Sequence, residues 1–331
     1  MRPNVAVLGA GSWGTTLASM CARHGPTTIW ALEDEVAREI NARHTNSLYL
    51  QGFELTPALR ATRRVEEATA GAKVVVLAVP SPYFRAVLGQ AAPFVPKTVP
   101  VVSVAKGLEP ETLLRMTEVI AQVLPDHPRA ALSGPNLARE IIAGYAAGAV
   151  VACHDAEVAR HLQGVFNSGL YRVYTTHDVV GVEAAGALKN VIAIAAGMAD
   201  GVGVGDNTRA LIITRGLAEL TRLGLAMGGE PSTFAGLAGL GDLLATCISP
   251  LSRNRHVGEQ LGKGRKLEDI VGEMRMVPEG IHTCRLVLEI ARRHGVETPI
   301  AREIDRVVHG EVTPLEAYRR LVRPLPGPES Q

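Results

Sequence analysis

A glycine-rich turn set between an apolar strand pattern and a helical one constrains this chain more than any other feature. Asn4–Leu8 has the pattern of a strand, Gly9-Ala-Gly-Ser-Trp-Gly14 follows it directly, and a helical pattern runs over Trp13–His24. Gly9 permits a tight turn, and Gly11 lets the backbone approach a pyrophosphate. Gly14 lets helix and strand pack closely, while the helix N-terminus stabilises the anion. Glycines at this spacing also mark ordinary turns. The strand–turn–helix setting at the head of a β/α alternation is what points to dinucleotide binding.

That alternation continues through the first half. Strand patterns fall at Thr27–Ala31, Lys73–Val79, Val99–Val104, Arg129–Leu132, Ala147–Cys153 and Tyr171–Thr175. Helical patterns between them include Asp34–Arg43, Glu111–Leu124 and Asp155–Phe166. The Val-rich run Lys73–Val79 lacks in/out alternation, as expected of a parallel strand buried on both faces. The pattern predicts an α/β fold with a doubly wound parallel sheet. After about Asp178 strand signals vanish. Helical segments take over at Val182–Met198, Thr208–Leu223, Arg253–Leu261, Lys266–Glu273, His282–His294 and Ile300–Val308. The expected organisation is a Rossmann-type dinucleotide-binding domain over 1–178, an all-helical substrate-binding domain over 179–322, and a Pro-rich, disordered tail over 323–331.

With 34 basic and 33 acidic side chains, the formal charge is +1, which argues against nucleic acid or an anionic membrane surface as the main partner. Anion selectivity must come from a few placed cations. No signal-peptide pattern opens the chain, and the apolar run Ala184–Ala199 is interrupted by Lys189 and Asn190, short of the roughly 20 residues of a membrane span. Four cysteines, Cys21, Cys153, Cys247 and Cys284, lie far apart. They read as small buried hydrophobes, with no metal site and no disulfide framework, and a cytoplasmic location is expected.

The choice between NAD and NADP turns on the end of the second strand. An acid there bonds the ribose 2′-hydroxyl of NAD, whereas a nearby Arg suits the 2′-phosphate of NADP. Glu33 and Asp34 follow Leu32, and Arg38 comes a helical turn later. Both acids equally suit the first turn of a helix. The pattern leans to NAD and leaves NADP open.

Crevice sites in open α/β sheets lie at the carboxyl ends of strands. Lys106-Gly107 and Ser133-Gly-Pro-Asn136 occupy such ends. Lys189 stands inside the apolar run. At helical spacing Gly186, Lys189, Asn190, Ala193 and Gly197 share a small-residue face on which a ligand or another backbone could sit. Burial of its ammonium would bring it towards general acid/base work, while a lysine snorkelling from a helix flank is the plainer alternative. Gly236-Leu-Ala-Gly-Leu-Gly-Asp242 approaches a carboxylate. Ser252-Arg-Asn-Arg255 starts a helix with Ser252 as N-cap, and Arg253 with Asn254 can bind phosphate.

Taken together, these segments resemble the bacterial NAD(P)-dependent glycerol-3-phosphate dehydrogenases over nearly the whole chain. The resemblance rests on Gly9–Gly14 with Trp13, Ser103–Leu108, Ser133–Pro135, Glu183 through Lys189-Asn190, Gly239–Asp242, Ser252–Arg255 and Pro278–Gly280. It implies reversible reduction of dihydroxyacetone phosphate to sn-glycerol 3-phosphate, feeding glycerophospholipid synthesis, by a homodimer. It also implies that Lys189 is the proton donor and acceptor. Lys106, Gly134, Asn136, Lys189, Asp242, Ser252, Arg253 and Asn254 would contact substrate. Ser12, Trp13, Lys106, Ala138, Arg253, Val277 and Glu279 would join Gly9, Gly11 and Gly14 at the cofactor. Asn136 stands where many members of that family have Ser or Thr, and Leu32 where they often have Arg or His. The alternatives are a β-hydroxyacid dehydrogenase of similar layout and a non-catalytic NAD(H)-binding sensor.

Overall fold

A computed structural model of the protein describes residues 4–274 and 278–322. The chain divides after Glu183 into two compact units.

In the first unit, strands and helices alternate: β1 Val5–Leu8, α1 Ser12–Ala22, β2 Thr27–Trp30, α2 Asp34–Arg43, β3 Arg60–Thr62, α3 Val65–Thr69, β4 Val74–Leu77 and α4 Ser81–Ala91. There follow β5 Val101–Ser103, α5 Met116–Val123, β6 Arg129–Ser133, α6 Ala138–Ile142, β7 Ala147–Ala152, α7 Ala156–Phe166 and β8 Tyr171–Thr176. The strands form one sheet in the order β3-β2-β1-β4-β5-β6-β7-β8. Its first six strands have the Rossmann order, all parallel. The absence of alternation in the Val-rich strands has a direct cause. Val74 and Val76 enter one core with Leu17, Ile40 and Phe166, while Val75 and Leu77 enter another with Phe84, Leu88 and Ile120. Both faces are dry.

Three features depart from expectation. The edge strand β3 was not legible, because its three residues Arg60-Ala-Thr62 bury only Ala61. The helix expected from Glu111 begins five residues later at Met116, where Glu118 accepts from the Arg115 backbone N–H and from its guanidinium, each at 2.8 Å. And β7 runs antiparallel to β6 before pairing parallel with β8. The antiparallel register sets Ala131 opposite Ala152 and Ser133 opposite Val150, a pairing between distant segments that no local pattern marks.

Among the described residues the second unit is helical. Its elements are α8 Val179–Val202, α9 Asp206–Ala226, α10 Pro231–Ala235, α11 Asp242–Ile248, α12 Arg253–Gly262, α13 Leu267–Gly272, α14 Glu279–His294, α15 Pro299–Val308 and α16 Pro314–Val322. Leu237–Gly241 forms a π-helical turn leading into α11. The first turns of α8 belong to the first unit. There Glu183 accepts from the Thr117 backbone N–H at 2.8 Å, from Thr117 Oγ1 at 2.5 Å and from Arg115 at 3.0 Å.

Helix α8 extends beyond the run seen in sequence and is long and apolar enough to cross a membrane, but 94% of its most apolar window is buried inside the protein, so it is a core helix. Its small-residue face is answered by another backbone. A Cβ on Gly197 would stand 2.0 Å from Arg255 O, and one on Gly258 2.0 Å from Ile194 O. Helices α8 and α12 therefore touch main chain to main chain, and only glycine fits at those points. The expected tail 323–331 and Val277 lie outside the described residues.

Candidate active site

The glycine turn adopts the geometry its sequence demands. Gly9 has φ +119°, and a Cβ there would lie 2.6 Å from Ala78 O. A Cβ on Gly14 would lie 2.0 Å from Gly9 O, so helix and strand approach as closely as backbone allows. At Gly11, by contrast, a Cβ would meet open space. That position is the N-cap of α1, which has no side-chain cap and no acid in its first turn. Its N-terminal amides and partial positive charge suit a pyrophosphate, so the turn fits a dinucleotide.

Side chains around the turn extend this cradle. Ser12 Oγ donates to Tyr49 O at 2.5 Å, and Thr16 Oγ1 donates to Ala138 O at 3.4 Å, bringing Ala138 against α1. The Trp13 ring lies 6.1 Å from that of Tyr171, and its buried indole N–H has no hydrogen-bond partner. Tyr171 OH donates to Asn136 Oδ1 at 3.1 Å, while Asn136 Nδ2 and Ser133 Oγ are also buried without partners. Buried polar groups are ordinarily hydrogen-bonded, so these three atoms have capacity for a further partner. Lys106 Nζ donates to Gly134 O at 2.8 Å, so the two strand-end segments meet. Gly134 has φ +138° and would press a Cβ to 2.9 Å from Ala149 Cα, which explains the glycine.

In the second unit, Lys189 is 4% exposed. Its Nζ donates to Asp242 Oδ1 at 2.8 Å and to Thr246 Oγ1. Thr246 in turn donates to Asp242 O at 2.6 Å. The lysine is thus a buried, aimed ammonium rather than a flank residue reaching for water. The π-helical turn delivers Asp242 to the first position of α11, where its charge also suits the helix dipole.

Ser252 caps α12, its hydroxyl accepting from the Arg255 N–H at 3.2 Å. Arg253 is exposed at the first turn of that helix, yet surrounding protein pushes its guanidinium pKa down, partly offset by the charge of Glu279. Asn254 is committed to architecture. Its Nδ2 donates to Asn190 Oδ1 at 2.9 Å and its Oδ1 accepts from Gly280 N at 3.0 Å. One amide therefore gathers the starts of α12 and α14 onto the residue following Lys189. Cys247, beside the lysine in α11, has its thiol pushed up to about 12 by burial, which leaves it chemically inert.

Three contributors went unnamed in the sequence reading: Thr246, Tyr171 and the segment Asn46–Tyr49. Each acts on a residue more than thirty positions away. Thr246 alone was within reach, one helical turn after Asp242.

A Rossmann sheet with an uncapped glycine turn, joined to a helical unit holding a buried Lys–Asp pair, defines a nicotinamide-nucleotide-dependent oxidoreductase. The family models described as NAD-dependent glycerol-3-phosphate dehydrogenase N-terminus and C-terminus match residues 4–159 and 178–319. The chain is 53% identical to glycerol-3-phosphate dehydrogenase (NAD(P)+) 2 of Sphingopyxis alaskensis, covering 100% of this chain and 99% of that one. It is also 53% identical to the protein named glycerol-3-phosphate dehydrogenase (NAD(P)+) of Mycobacterium avium, covering 99% and 96%. Among solved structures, the glycerol-3-phosphate dehydrogenase of Coxiella burnetii superposes with a TM-score of 0.93 at 34% identity, covering 98% of this chain and 99% of that one. The chain belongs to the NAD(P)-dependent glycerol-3-phosphate dehydrogenase family.

Proposed function

We propose that this chain interconverts dihydroxyacetone phosphate and sn-glycerol 3-phosphate with Lys189 as the proton-transferring group. The observation that carries the assignment is the buried lysine held at 2.8 Å by Asp242. Gly9, Gly11 and Gly14 would hold a nicotinamide coenzyme, which would supply hydride-transfer chemistry for the substrate carbon C2. Lys189 handles the proton. As its ammonium it donates from Nζ to the carbonyl oxygen gaining charge at C2, and as the neutral amine it takes the hydroxyl proton in the reverse direction. Asp242 and Thr246 orient Nζ, so little reorganisation accompanies transfer.

Arg253 and Ser252, at the positive end of α12, hold the substrate phosphate, and binding energy so far from C2 orients the reacting carbon. Asn254 acts chiefly by fixing that helix start. Lys106, held at Gly134 O, adds positive charge near the substrate oxygen, and Asn136 offers its buried amide N–H. On the family resemblance, Trp13, Ala138 and Glu279 would contact the cofactor together with the glycine turn. Four free, buried cysteines support a reducing compartment such as the cytoplasm. A homodimer is proposed on the family resemblance, and sedimentation analysis checks it.

The test is loss of reduced-cofactor absorbance on adding dihydroxyacetone phosphate, with NADH and NADPH supplied separately. Turnover with either supports the assignment. A folded protein that binds cofactor but oxidises neither would overturn it.

A further inference from the structure

Glu33 ends the stretch after β2, and its plainest role would be an N-cap of α2. The structure denies it that role: Glu33 occupies the N-cap position with no side-chain capping bond. Its Oε1 instead accepts from Tyr49 OH at 2.6 Å. Tyr49 is itself tied down twice. Its carbonyl accepts from Ser12 Oγ in the phosphate turn at 2.5 Å, and its N–H donates to Asn46 Oδ1 at 3.2 Å. Asn46, 0% exposed, donates from Nδ2 to Ala10 O and to Thr15 Oγ1, both at 2.9 Å. Glu39 holds the same segment by accepting from Thr45 Oγ1, Ser47 N and Ser47 Oγ. A strap over residues 45–50 therefore runs from the pyrophosphate-binding turn to the carboxylate at the end of β2. Burial and the neighbouring Glu33 charge push the Tyr49 phenol up to about 12, so it remains a neutral donor at working pH.

We infer that Glu33, positioned by Tyr49 and the Asn46 strap, makes this dehydrogenase selective for NAD(H) over NADP(H). A fixed carboxylate accepts from a ribose 2′-hydroxyl and repels a 2′-phosphate, whose like charge at that distance is costly. The surrounding charges agree. Leu32 beside it is 64% exposed and offers a phosphate nothing. Asp34 takes Arg38 at 2.8 Å, and Arg64 is taken by Glu66 and Glu67 at 2.7 and 3.4 Å. Arg63, exposed one residue beyond the Trp30–Thr62 pairing of β2 with β3, is the cation best placed to compete. Its backbone carbonyl holds the Trp30 indole N–H at 2.9 Å, and its side chain enters the test as a control.

The inference rests on the nicotinamide-dependent reading, so its test uses equilibrium binding as well as turnover. Fluorescence titration of the intact protein with NADH and with NADPH, without substrate, gives the ratio of dissociation constants. The expected wild-type ratio favours NADH by about tenfold or more. Glu33→Gln should shrink it about tenfold, chiefly by tightening NADPH, and Tyr49→Phe should shrink it part of the way while the carboxylate remains. Arg63→Ala should not bring the ratio towards NADPH. General damage to the fold would weaken both cofactors, so the diagnostic change is tighter NADPH binding in a Glu33→Gln protein whose thermal unfolding matches wild type. Equal or tighter NADPH binding by the wild type, a Glu33→Gln ratio equal to wild type, or NADPH affinity that depends on Arg63 would each overturn the assignment. A protein that keeps the ratio yet fails to reduce dihydroxyacetone phosphate would sink the substrate reading alone, whereas equal turnover with both cofactors would sink this one alone.

Discussion

Lys189 and Asp242, 53 residues apart in sequence, form an ion pair of 2.8 Å in which the two side chains are 5% and 2% exposed. Breaking such a pair leaves one charge buried alone and costs about 3–5 kcal/mol. Lys189→Met should therefore lose stability as well as about 10²–10⁴ in kcat. Adding Asp242→Asn removes the stranded charge, so the double variant should regain melting temperature without regaining kcat. Thermal unfolding beside the cofactor assay separates the two effects. Near-normal kcat in a folded Lys189→Met protein would remove the lysine from the chemistry.

Thr246 accepts from Lys189 and donates its own hydroxyl hydrogen bond to the backbone Asp242 O. Thr246→Val keeps the shape and loses both bonds. The expected result is kcat down about tenfold, with the KM for dihydroxyacetone phosphate little changed, because one hydrogen bond aims the ammonium rather than binding the substrate. A change confined to KM would contradict a positioning role.

Arg253 is assigned to the substrate phosphate, so Arg253→Ala should raise KM for dihydroxyacetone phosphate by about tenfold to a hundredfold. The rate with unphosphorylated dihydroxyacetone should scarcely move. Equal losses with both substrates would place Arg253 elsewhere in the mechanism.

The α8–α12 crossing gives a steric prediction. Gly258→Ala drives a methyl to 2.0 Å from Ile194 O and should cost about 3 kcal/mol. Gly164, in α7, has open space where its Cβ would be, and Gly164→Ala should gain about 0.5–1 kcal/mol. Urea unfolding reads both. Similar effects at the two sites would mean that α8 and α12 do not touch through their backbones.

Glu219 supplies a pH test. It is buried, and its two carboxylate oxygens accept from Ile300 N and Ala301 N, each at 2.9 Å, closing the N-terminus of α15. Burial raises its pKa, with the two backbone N–H bonds opposing. An acid raised on folding holds its proton longer in the native state. Its contribution is therefore complete below the unfolded pKa and declines as pH rises through the folded one. Across the range above pH 4, wild type should lose stability relative to Glu219→Gln as pH increases. A constant difference between the two proteins would show that Glu219 does not titrate in that range.

Much of this molecule was legible in one dimension because its determinants are local. The turn Gly9–Gly14 announces itself because a positive φ at Gly9 and contact with the Gly9 carbonyl at Gly14 leave glycine as the residue that fits. Doubly buried strands show as unbroken Val runs, and a lysine inside an apolar helix stands out against its neighbours. Hidden were the features whose energy comes from distant partners. Short β3 borrows its order from pairing with β2, and the reversal at β7 is set by its pairing with β6. Sequence could offer Gly197 either a ligand or a backbone as its neighbour; the tertiary structure supplies Arg255 O.

The same division runs through the site. The sequence by itself determined which residue types were available: a phosphate turn, an acid after β2, a buried ammonium and an arginine at a helix start. Only the tertiary structure decided what each does. It paired Lys189 with Asp242, turned Asn254 inward to Asn190 and Gly280, and bound Glu33 to Tyr49 rather than to its own helix. Hydrogen bonds and ion pairs act over about 3 Å, and chain separation places no limit on which groups come that close.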